Sequence, residues 1–507
     1  MSLDRYRDVV PDWESFLDAV DRPAPTTLRV RTGRVSVDEL RGRLEDRGYG
    51  LEEVDGAPRF LRVTDGPRPV SDTLEHWLGL FYVQKAVTGL AAPALAPEPG
   101  ERVLDMCAAP GGKTTHMAEL MDDRGCLVAA DVSDGRIPGL LGNLYRLGHT
   151  VAVCVRADGR TFPAGARFDR VLVDAPCSAE GNLRGRGGEL PEPDDDFRDH
   201  VTERQEDLLR RAVELTRPGG VVLYVTCTFA PEENEAVVGR VLERDDVALE
   251  PIDLDVPHAE GLTEFGDRAF DPSLRDAWRL YPHHLDSGGL FMARLRKAGG
   301  GDGSPAGAEA AEGGEPGATG ADAPGAGAAR GDDGWTPVPR SHPEHDTDDA
   351  EERIEAGLAR LRDRFGVPGD PLEAARWFVR GNSVWTHTCR EWPVETWLPR
   401  GGWRFVCMGV RALTRDPRFG ERPTNDVLSW LDGDVRDHVV ELDAPGCREL
   451  LEGEMPEVDD VPDGNAALRM EGHVLGRGVV EDGELRHEIP KARARRLAEI
   501  LERGADG

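Results

Sequence analysis

Long apolar runs, paired cysteines and lysine are all scarce or missing in this chain of 507 residues. No stretch approaches the roughly 18 consecutive apolar residues that a membrane-spanning helix needs, so we expect no membrane partner. The eight cysteines form no CxxC pair and no regular spacing, which disfavours a bound metal and a disulfide framework. The amino terminus lacks a basic segment followed by an apolar one, so we see no secretory signal and expect a cytoplasmic protein.

Basic side chains are also fewer than acidic ones. The chain has 62 lysines and arginines against 95 aspartates and glutamates, a formal charge of −33, and only four of the basic residues are lysine. This charge opposes contact with a nucleic-acid backbone in dilute buffer. In molar salt the Debye length falls to about 3 Å, and long-range repulsion from RNA is screened. A nucleic-acid partner is therefore compatible with the composition if the cell interior is salty.

A stretch without large apolar side chains divides the sequence. Residues 298–334 contain no Leu, Ile, Val, Met, Phe, Tyr or Trp, so they cannot bury enough surface to offset the entropy lost on ordering. We predict a flexible acidic Gly/Ala linker over residues 298–350. It separates a small α+β amino-terminal unit at 1–75 and a core at 76–297 from a carboxy-terminal region at 351–507.

From residue 100 onward, apolar strand patterns alternate with helical ones. The segments RVLDM, CLVAADVS, VAVCVRAD, RFDRVLVDAP and GGVVLYVTCT predict strands. Such alternation is the signature of an α/β fold with a doubly wound parallel sheet. Polar side chains stand at the carboxyl ends of these strands: Asp105, Asp131, Asp158, Asp174 and Cys227. Because those ends line one crevice in a parallel sheet, we expect the five segments to converge on a single ligand site.

Small residues follow the first strand. The segment Cys107–Thr115 reads CAAPGGKTT, and its two adjacent glycines permit a tight turn and close backbone approach at a helix start. Its ending resembles a phosphate-binding loop, but that motif needs glycine where Cys107 stands, which disfavours nucleoside triphosphate hydrolysis. Asp131 is positioned to accept hydrogen bonds from ribose hydroxyls, and Asp158 is expected beside an adenine. Each of these features alone is common in sheet proteins, so the predicted ligand site rests on their occurring together in this order along the chain.

Two cysteines follow neighbouring strands. Cys227 follows GGVVLYV and Cys177 follows RVLVDAP, so both sulfurs are expected at one edge of the sheet. Carbon 5 of cytosine is a poor nucleophile, and its methylation requires a prior attack on carbon 6, for which a thiolate is suited. One cysteine can attack while the other assists release. Asp174 can hydrogen-bond the ring edge, and Lys113 can orient the ring or balance charge.

The segments VLDMCAAPGGKTT, DAPCSAEGN, RQEDLLRRAVELTRPGG and YVTCTFAPEENE together resemble the Nop/Sun (RsmB/RsmF-like) family of S-adenosylmethionine-dependent RNA cytosine-5 methyltransferases. The resemblance covers nearly all of residues 10–297 and implies a Rossmann-like class I methyltransferase core. It implies that Cys227 is the covalent nucleophile and that Cys177 assists release. It also implies S-adenosylmethionine contacts at Cys107, Ala108, Ala109, Pro110, Gly111, Gly112, Lys113, Asp131, Arg136, Asp158 and Asp174. Ala179 departs from the family, which usually has glycine at that position.

Two later segments, WFVRGNSVWTHT and GHVLGRGVVEDGELRHEIPKARAR, resemble the carboxy-terminal part of a bacterial ribosomal member of the family. This resemblance implies a PUA-like β-barrel that binds RNA, and glycines punctuate the segment as a small barrel requires. Lys491 and Arg493 are candidate RNA contacts, with a solvated helix face as the open alternative. Lys85, in FYVQKA, is a third candidate RNA contact. The acid-rich, lysine-poor composition resembles that of salt-adapted archaeal proteins.

We therefore expect a monomer that methylates an unstacked cytosine in structured RNA. Ribosomal RNA and tRNA both stay open as substrates. One rival is a DNA cytosine-5 methyltransferase with Cys177 as its nucleophile, and the threonine-cysteine motif at Cys227 argues against it. Another is a non-catalytic RNA-binding ribosome assembly factor, and the retention of Cys227, Asp174 and Lys113 argues against that interpretation.

Overall fold

The computed structural model describes residues 3–163, 165–186, 195–299, 334–342, 348–393, 404–417 and 420–505. Most of the predicted linker lies outside these residues. Within the described part of the chain, no helix combines the length and the apolar character needed to cross a membrane. In the same residues, no group of three or more His, Cys, Asp and Glu side chains is arranged to hold a metal ion.

The amino-terminal unit is built on an antiparallel sheet of four strands. These are β1 (Thr26–Val30), β2 (Gly50–Glu53), β3 (Phe60–Asp65) and β4 (Phe81–Val83). The helices of this part are α1 (Trp13–Asp21), α2 (Val37–Asp46), α3 (Leu74–Trp77), α4 (Ala86–Gly89) and α5 (Ala91–Leu95). The spatial order of the strands is β2-β3-β1-β4. Because β4 pairs with the free edge of β1, the sheet ends beyond the boundary predicted at residue 75.

The central sheet contains the predicted doubly wound core. Its parallel strands are β5 (Arg102–Asp105), β6 (Cys126–Asp131), β7 (Ala152–Arg156), β8 (Phe168–Asp174) and β9 (Thr216–Thr226). The helices that follow them are α6 (Gly112–Leu120), α7 (Ile137–Leu147), α8 (Asp195–Leu215) and α9 (Glu235–Leu242). The spatial order β7-β6-β5-β8-β9 confirms the prediction, with the winding reversed between β5 and β8. Open sheets of this kind bind ligands at that reversal.

Antiparallel strands continue the sheet beyond β9. The segments of this part are β10 (Val247–Leu249), β11 (Ala259–Glu260), β12 (Glu264–Phe265), β13 (Arg268–Ala269), β14 (Trp278–Leu280), α10 (Pro282–Leu285) and β15 (Leu290–Lys297). β15 pairs with β9, and β14 and β10 both pair with β15. All six residues of β6 are buried, as expected for a strand covered on both faces.

The carboxy-terminal region forms two sheets of four strands. Its elements are β16 (Trp335–Pro337), α11 (Ala350–Phe365), α12 (Gly369–Ala374), β17 (Arg376–Arg380), β18 (Ser383–His387), β19 (Glu391–Pro393), β20 (Arg404–Met408), β21 (Val410–Asp416), β22 (Gly420–Pro423), α13 (Asn425–Trp430), β23 (Val439–Glu441), α14 (Ala444–Glu452), β24 (Gly464–Met470), β25 (His473–Glu481), β26 (Glu484–His487) and α15 (Lys491–Ala505). The sheets run β17-β18-β21-β22 and β23-β24-β25-β26. Helix α13 contacts both β21 and β25 and so lies between the two sheets, and the PUA-like barrel stays a prediction.

The carboxy-terminal region packs directly on the core. β20 pairs antiparallel with β7 and so extends the central sheet by one strand. Trp335 lies inside the predicted linker, yet it is only 2% exposed, and its indole N–H donates to the Arg167 carbonyl at 2.9 Å. The predicted linker boundary at residue 350 is therefore wrong. Trp335 packs against the core because it supplies apolar surface to bury and a polar N–H that finds a partner.

A buried arginine joins the amino-terminal sheet to the core. Arg29 on β1 donates to the Gly112 carbonyl at 2.8 Å, to Thr115 Oγ1 at 2.9 Å and to Glu119 Oε1 at 3.0 Å. It also donates to Gln84 Oε1 at 2.8 Å, and its own exposure is 0%. Its partners Gly112, Thr115 and Glu119 lie on α6, which follows the glycine turn. The network therefore fixes the start of α6 against the amino-terminal sheet.

Replacing this arginine tests the network. We expect Arg29→Leu to lower the free energy of unfolding by about 3–5 kcal/mol, because Glu119 would stay buried without its guanidinium partner. Chemical denaturation of the full chain measures the change. Arg495→Leu is the control, since the Arg495 side chain is 84% exposed and pairs with Glu499 one turn away. The control should change by less than about 1 kcal/mol. Equal losses in the two variants would contradict the assignment.

Candidate active site

Segments that follow β5, β8 and β9 meet at the reversal of the sheet. Lys113, near the start of α6, donates from Nζ to Asp174 Oδ2 at 2.6 Å. Beyond the ends of β8 and β9, the sulfurs of Cys177 and Cys227 lie 3.4 Å apart. The structure thus brings together the four side chains that were predicted to be catalytic. Both cysteines are half-buried, so a crevice exposes part of each.

The two sulfurs differ in their ease of ionisation. A hydrogen bond from the Cys177 thiol lowers the pKa of Cys227, against burial and the nearby Asp174 carboxylate, and the charges of Lys113 and Lys85 lower it further. The same hydrogen bond and burial raise the pKa of Cys177. Within this pair, Cys227 therefore ionises before Cys177.

The Lys113–Asp174 ion pair forms one wall of the crevice. Burial works to lower the pKa of Lys113, but the charge and hydrogen bond of Asp174 outweigh it and raise that pKa. Lys113 therefore stays protonated next to the cysteine pair. An ammonium group beside a carboxylate offers both a donor and an acceptor to the edge of a planar base.

The glycine turn keeps side chains away from the start of α6. Gly111 has φ of 106°, a conformation that favours glycine, and a Cβ there would lie 3.0 Å from Leu140 Cδ1. A Cβ on Gly112 would lie 3.3 Å from the Tyr82 ring. Substitution at either position would therefore press on a neighbour. The turn leaves backbone N–H groups accessible at a helix start, where a polar ligand is favoured.

Asp105 ties the two ends of that turn together. It accepts from the Cys107 backbone N–H at 3.3 Å and from Thr114 Oγ1 at 2.7 Å. Burial raises the pKa of Asp105 to about 7, although the Thr114 hydrogen bond opposes the shift. Burial also raises the pKa of Cys107, so its thiol is neutral and serves to shape the turn.

Asp131 lies at the end of β6, as predicted. Its carboxylate accepts from the backbone N–H groups of Ala109 at 3.1 Å and Ser133 at 2.9 Å. Arg136 Nη1 lies 3.5 Å from the same carboxylate, and Arg136 Nη2 donates to the Ala109 carbonyl. Arg136 is thereby held at the turn. Each carboxylate oxygen has two lone pairs, so acceptor capacity remains for a ligand.

Asp158, after β7, is engaged by a neighbour. Arg160 donates to it from Nη2 at 2.7 Å and from the backbone N–H at 3.0 Å. These hydrogen bonds lower the pKa of Asp158 and keep it ionised. Its predicted contact with an adenine stays a prediction, since Arg160 shares the same carboxylate.

Residues outside the predicted catalytic set also lie against the cysteine pair. Asn182 Nδ2 lies 3.7 Å from Cys227 Sγ, and Lys85 Nζ donates to Asn182 Oδ1 at 2.7 Å. The sequence singled out Lys85 as an RNA contact, whereas the structure places its ammonium group on Asn182, next to Cys227. Asn182 was missed, although it closes the motif DAPCSAEGN. A loop amide carries no pattern that distinguishes contact with sulfur from contact with solvent.

The loop that carries Cys177 is anchored from several sides. The Ser178 backbone N–H donates to Glu233 Oε2 at 3.0 Å, and the Gly181 N–H donates to the Cys227 carbonyl at 2.8 Å. Ala179 has φ of 58°, the left-handed conformation in which a side chain is strained. Ala179, where the family usually has glycine, therefore stands at a position that glycine would fit more easily. The two hydrogen bonds nevertheless hold the loop in place.

Two other candidate RNA contacts lie on α15. Lys491 is exposed, and Arg493 pairs with Asp426 at 2.9 Å. The Arg493 guanidinium also lies 4.9 Å from the centroid of the Trp77 ring, whose indole N–H donates to the Arg493 carbonyl at 3.3 Å. Arg493 thus joins the carboxy-terminal region to the amino-terminal unit. Contact of Lys491 or Arg493 with RNA stays a prediction.

Two family models match the chain. The 16S rRNA methyltransferase RsmB/F family matches residues 92–296, which contain both cysteines and the glycine turn. The ferredoxin-like domain of RsmF/B-like methyltransferases matches residues 3–71, in agreement with an antiparallel sheet at the amino terminus.

Individual relatives extend the likeness. The 28S rRNA (cytosine(4447)-C(5))-methyltransferase of Homo sapiens is 38% identical over 58% of this chain, which spans only 37% of that protein's length. Ribosomal RNA small subunit methyltransferase F of Aeromonas salmonicida is 29% identical over 94% of this chain and 92% of its own length, so its likeness continues beyond the core. A solved methyltransferase homologue from Pyrococcus horikoshii, 33% identical with a TM-score of 0.53, covers 58% of this chain and 93% of its own.

The asymmetry of the cysteine pair predicts selective alkylation. At pH 7, iodoacetamide should modify Cys227 about tenfold faster than Cys177 or more, since each unit of difference in pKa changes the thiolate fraction by about tenfold. Quantitative peptide mass spectrometry of the native protein measures both rates. Buried Cys447, whose pKa is raised by burial, is the unreactive reference. Faster modification of Cys177 would show that the thiolate resides on the other sulfur.

Proposed function

The chain belongs to the Nop/Sun (RsmB/RsmF-like) methyltransferase family, and we propose that it transfers a methyl group from S-adenosylmethionine to carbon 5 of a cytosine in RNA. The observation that carries the proposal is the cysteine pair, with sulfurs 3.4 Å apart, beside the Lys113–Asp174 ion pair. Relatives named as rRNA cytosine-C(5)-methyltransferases support ribosomal RNA as the substrate. The monomeric state and cytoplasmic location expected from the sequence belong to the same proposal.

The glycine turn fits S-adenosylmethionine. Gly111 and Gly112 leave the start of α6 free of side chains, and the Asp131 carboxylate keeps lone pairs for ribose hydroxyls. The segment Cys107–Lys113, together with Asp131 and Arg136, would hold it. When bound, it supplies an electrophilic methyl group.

Cys227 begins the reaction on the RNA. Its thiolate attacks carbon 6 of cytosine, forms the Sγ–C6 bond and raises the electron density at carbon 5. Asp174 and Lys113 hold the edge of the ring, which must be unstacked from its neighbours to enter the crevice. The lowered pKa of Cys227 favours the thiolate that this attack requires.

Cys177 acts at the end of the reaction. After methylation, water takes the C5 proton, the electron pair of that C–H bond re-forms the C5=C6 double bond, and the Sγ–C6 bond breaks so that Cys227 leaves as a thiolate. The Cys177 thiol, 3.4 Å away, donates to that sulfur and stabilises the departing group.

The rival DNA methyltransferase would need the thiolate on Cys177, whose pKa is raised. A binding factor without activity would not need two cysteines whose pKa values are shifted in opposite directions.

Single cysteine variants separate the two roles. Cys227→Ala should abolish methyl transfer to RNA, because no thiolate remains to attack carbon 6. In Cys177→Ala, Cys227 should still attack the cytosine but release the RNA slowly. A protein–RNA adduct should therefore accumulate and survive on a denaturing gel. Cys447→Ala, a buried cysteine on α14, is the matched control and should behave like the parent. The opposite pattern, with an adduct formed by Cys227→Ala, would overturn the assignment.

Bisulfite sequencing tests the function in the cell. Ribosomal RNA and tRNA from a strain lacking this gene are compared with RNA from its parent. We expect one cytosine, in ribosomal RNA, to lose its protection and to regain it when the intact gene, but not the Cys227→Ala gene, is returned. An unchanged pattern in both RNA pools would contradict the proposal, and a changed tRNA position would redirect the substrate.

A further inference from the structure

The amide of Asn182 lies between a lysine and the nucleophilic sulfur. Lys85 Nζ donates to Asn182 Oδ1 at 2.7 Å, and Asn182 Nδ2 lies 3.7 Å from Cys227 Sγ. The Cys177 sulfur contacts Cys227 at 3.4 Å. The sulfur of Cys227 is therefore contacted by two donors, a thiol and an amide.

Lys85 decides which end of the amide faces the sulfur. An ammonium group has three donors and no acceptor, so it can bind only the oxygen of an amide. With Oδ1 held by Lys85, the Nδ2–H group points toward Cys227. An N–H donor favours a thiolate over a thiol, because it binds the negative sulfur more strongly than the neutral one.

Lys85 reaches the crevice from the amino-terminal unit. It follows β4 directly and stands at the start of α4. Its aliphatic stem packs beside Gly288, where a Cβ would lie 3.5 Å from Lys85 Cδ. Asn182, in contrast, belongs to the loop of Cys177, whose Gly181 N–H binds the Cys227 carbonyl at 2.8 Å. Two separate parts of the chain thus converge on one sulfur.

We propose that Asn182, oriented by Lys85, is a positioning residue that holds Cys227 in place as a thiolate before cytosine binds. The inference rests on the proposed function, in which Cys227 is the nucleophile. It adds the amide to the Cys177 thiol as a second group that stabilises the resting thiolate, and it leaves the departing thiolate to Cys177. It also gives Lys85 a role through Asn182 instead of the direct RNA contact that its sequence position suggested.

The test is the pH profile of Cys227 alkylation in the full chain without RNA. Asn182→Asp is nearly isosteric but puts a carboxylate oxygen in place of the N–H. We expect its alkylation midpoint to move up by about one pH unit or more, with about tenfold slower modification at pH 7. Asn382→Asp, at the exposed turn between β17 and β18, is the matched control and should keep the parent profile.

Lys85 is tested by the same measurement. Lys85→Met keeps the aliphatic stem, releases the amide and should move the midpoint in the same direction, whereas Lys85→Arg should restore most of the parent profile. Arg495→Met, at a side chain on α15 that is 84% exposed, is the matched control. Melting temperatures identify any variant that is misfolded, and the two positions are independent routes to the same readout.

The outcomes are distinct. Parent midpoints in both Asn182→Asp and Lys85→Met would overturn the inference. Weaker RNA binding by Lys85→Met with an unchanged midpoint would also overturn it, in favour of a direct RNA contact. Shifted midpoints in a protein whose parent methylates no RNA would instead leave the thiolate arrangement standing and remove the proposed function.

Discussion

The buried guanidinium of Arg29 is the contact on which the geometry of the crevice depends. Arg29 ties β1 to α6 through Gly112, Thr115 and Glu119, all within 3.0 Å. Lys113 lies in the same turn of α6, and Lys85 follows β4, the strand next to β1. One desolvated charge pair therefore sets the relative position of the two lysines that approach Cys227 from different parts of the chain. Loss of the Arg29 contacts would displace both lysines.

The site also shows how local charge can differ from net charge. The chain carries a formal charge of −33, yet two of its four lysines, Lys85 and Lys113, lie near Cys227. The Cys177 thiol lowers the pKa of Cys227 most, both lysines lower it further, and Asp174 balances the charge of Lys113. Fixed charges act strongly in a half-buried crevice, because little water screens them there. These few groups, rather than the net charge, therefore set the ionisation of the sulfur.

Much of this arrangement follows from the sequence, and the exceptions have physical reasons. Strand-end residues such as Asp174 and Cys227 were predictable because parallel strands must end at one edge of the sheet. Trp335 and β20 were not, because one tryptophan after a long Gly/Ala run and a short edge strand carry no periodicity. The PUA-like barrel stays a prediction, since glycine punctuation fixes turns but not the partners of strands. Asn182 was invisible because its role depends on contacts distant in sequence.

The central claim, that Cys227 attacks carbon 6, is tested most directly by trapping. In RNA that contains 5-fluorocytosine, the fluorine replaces the proton that must leave carbon 5, so the covalent intermediate cannot resolve. Protease digestion and mass spectrometry then identify the attached cysteine. The account predicts that the modified peptide carries Cys227. Attachment through Cys177 would contradict it and assign the attack to the other sulfur.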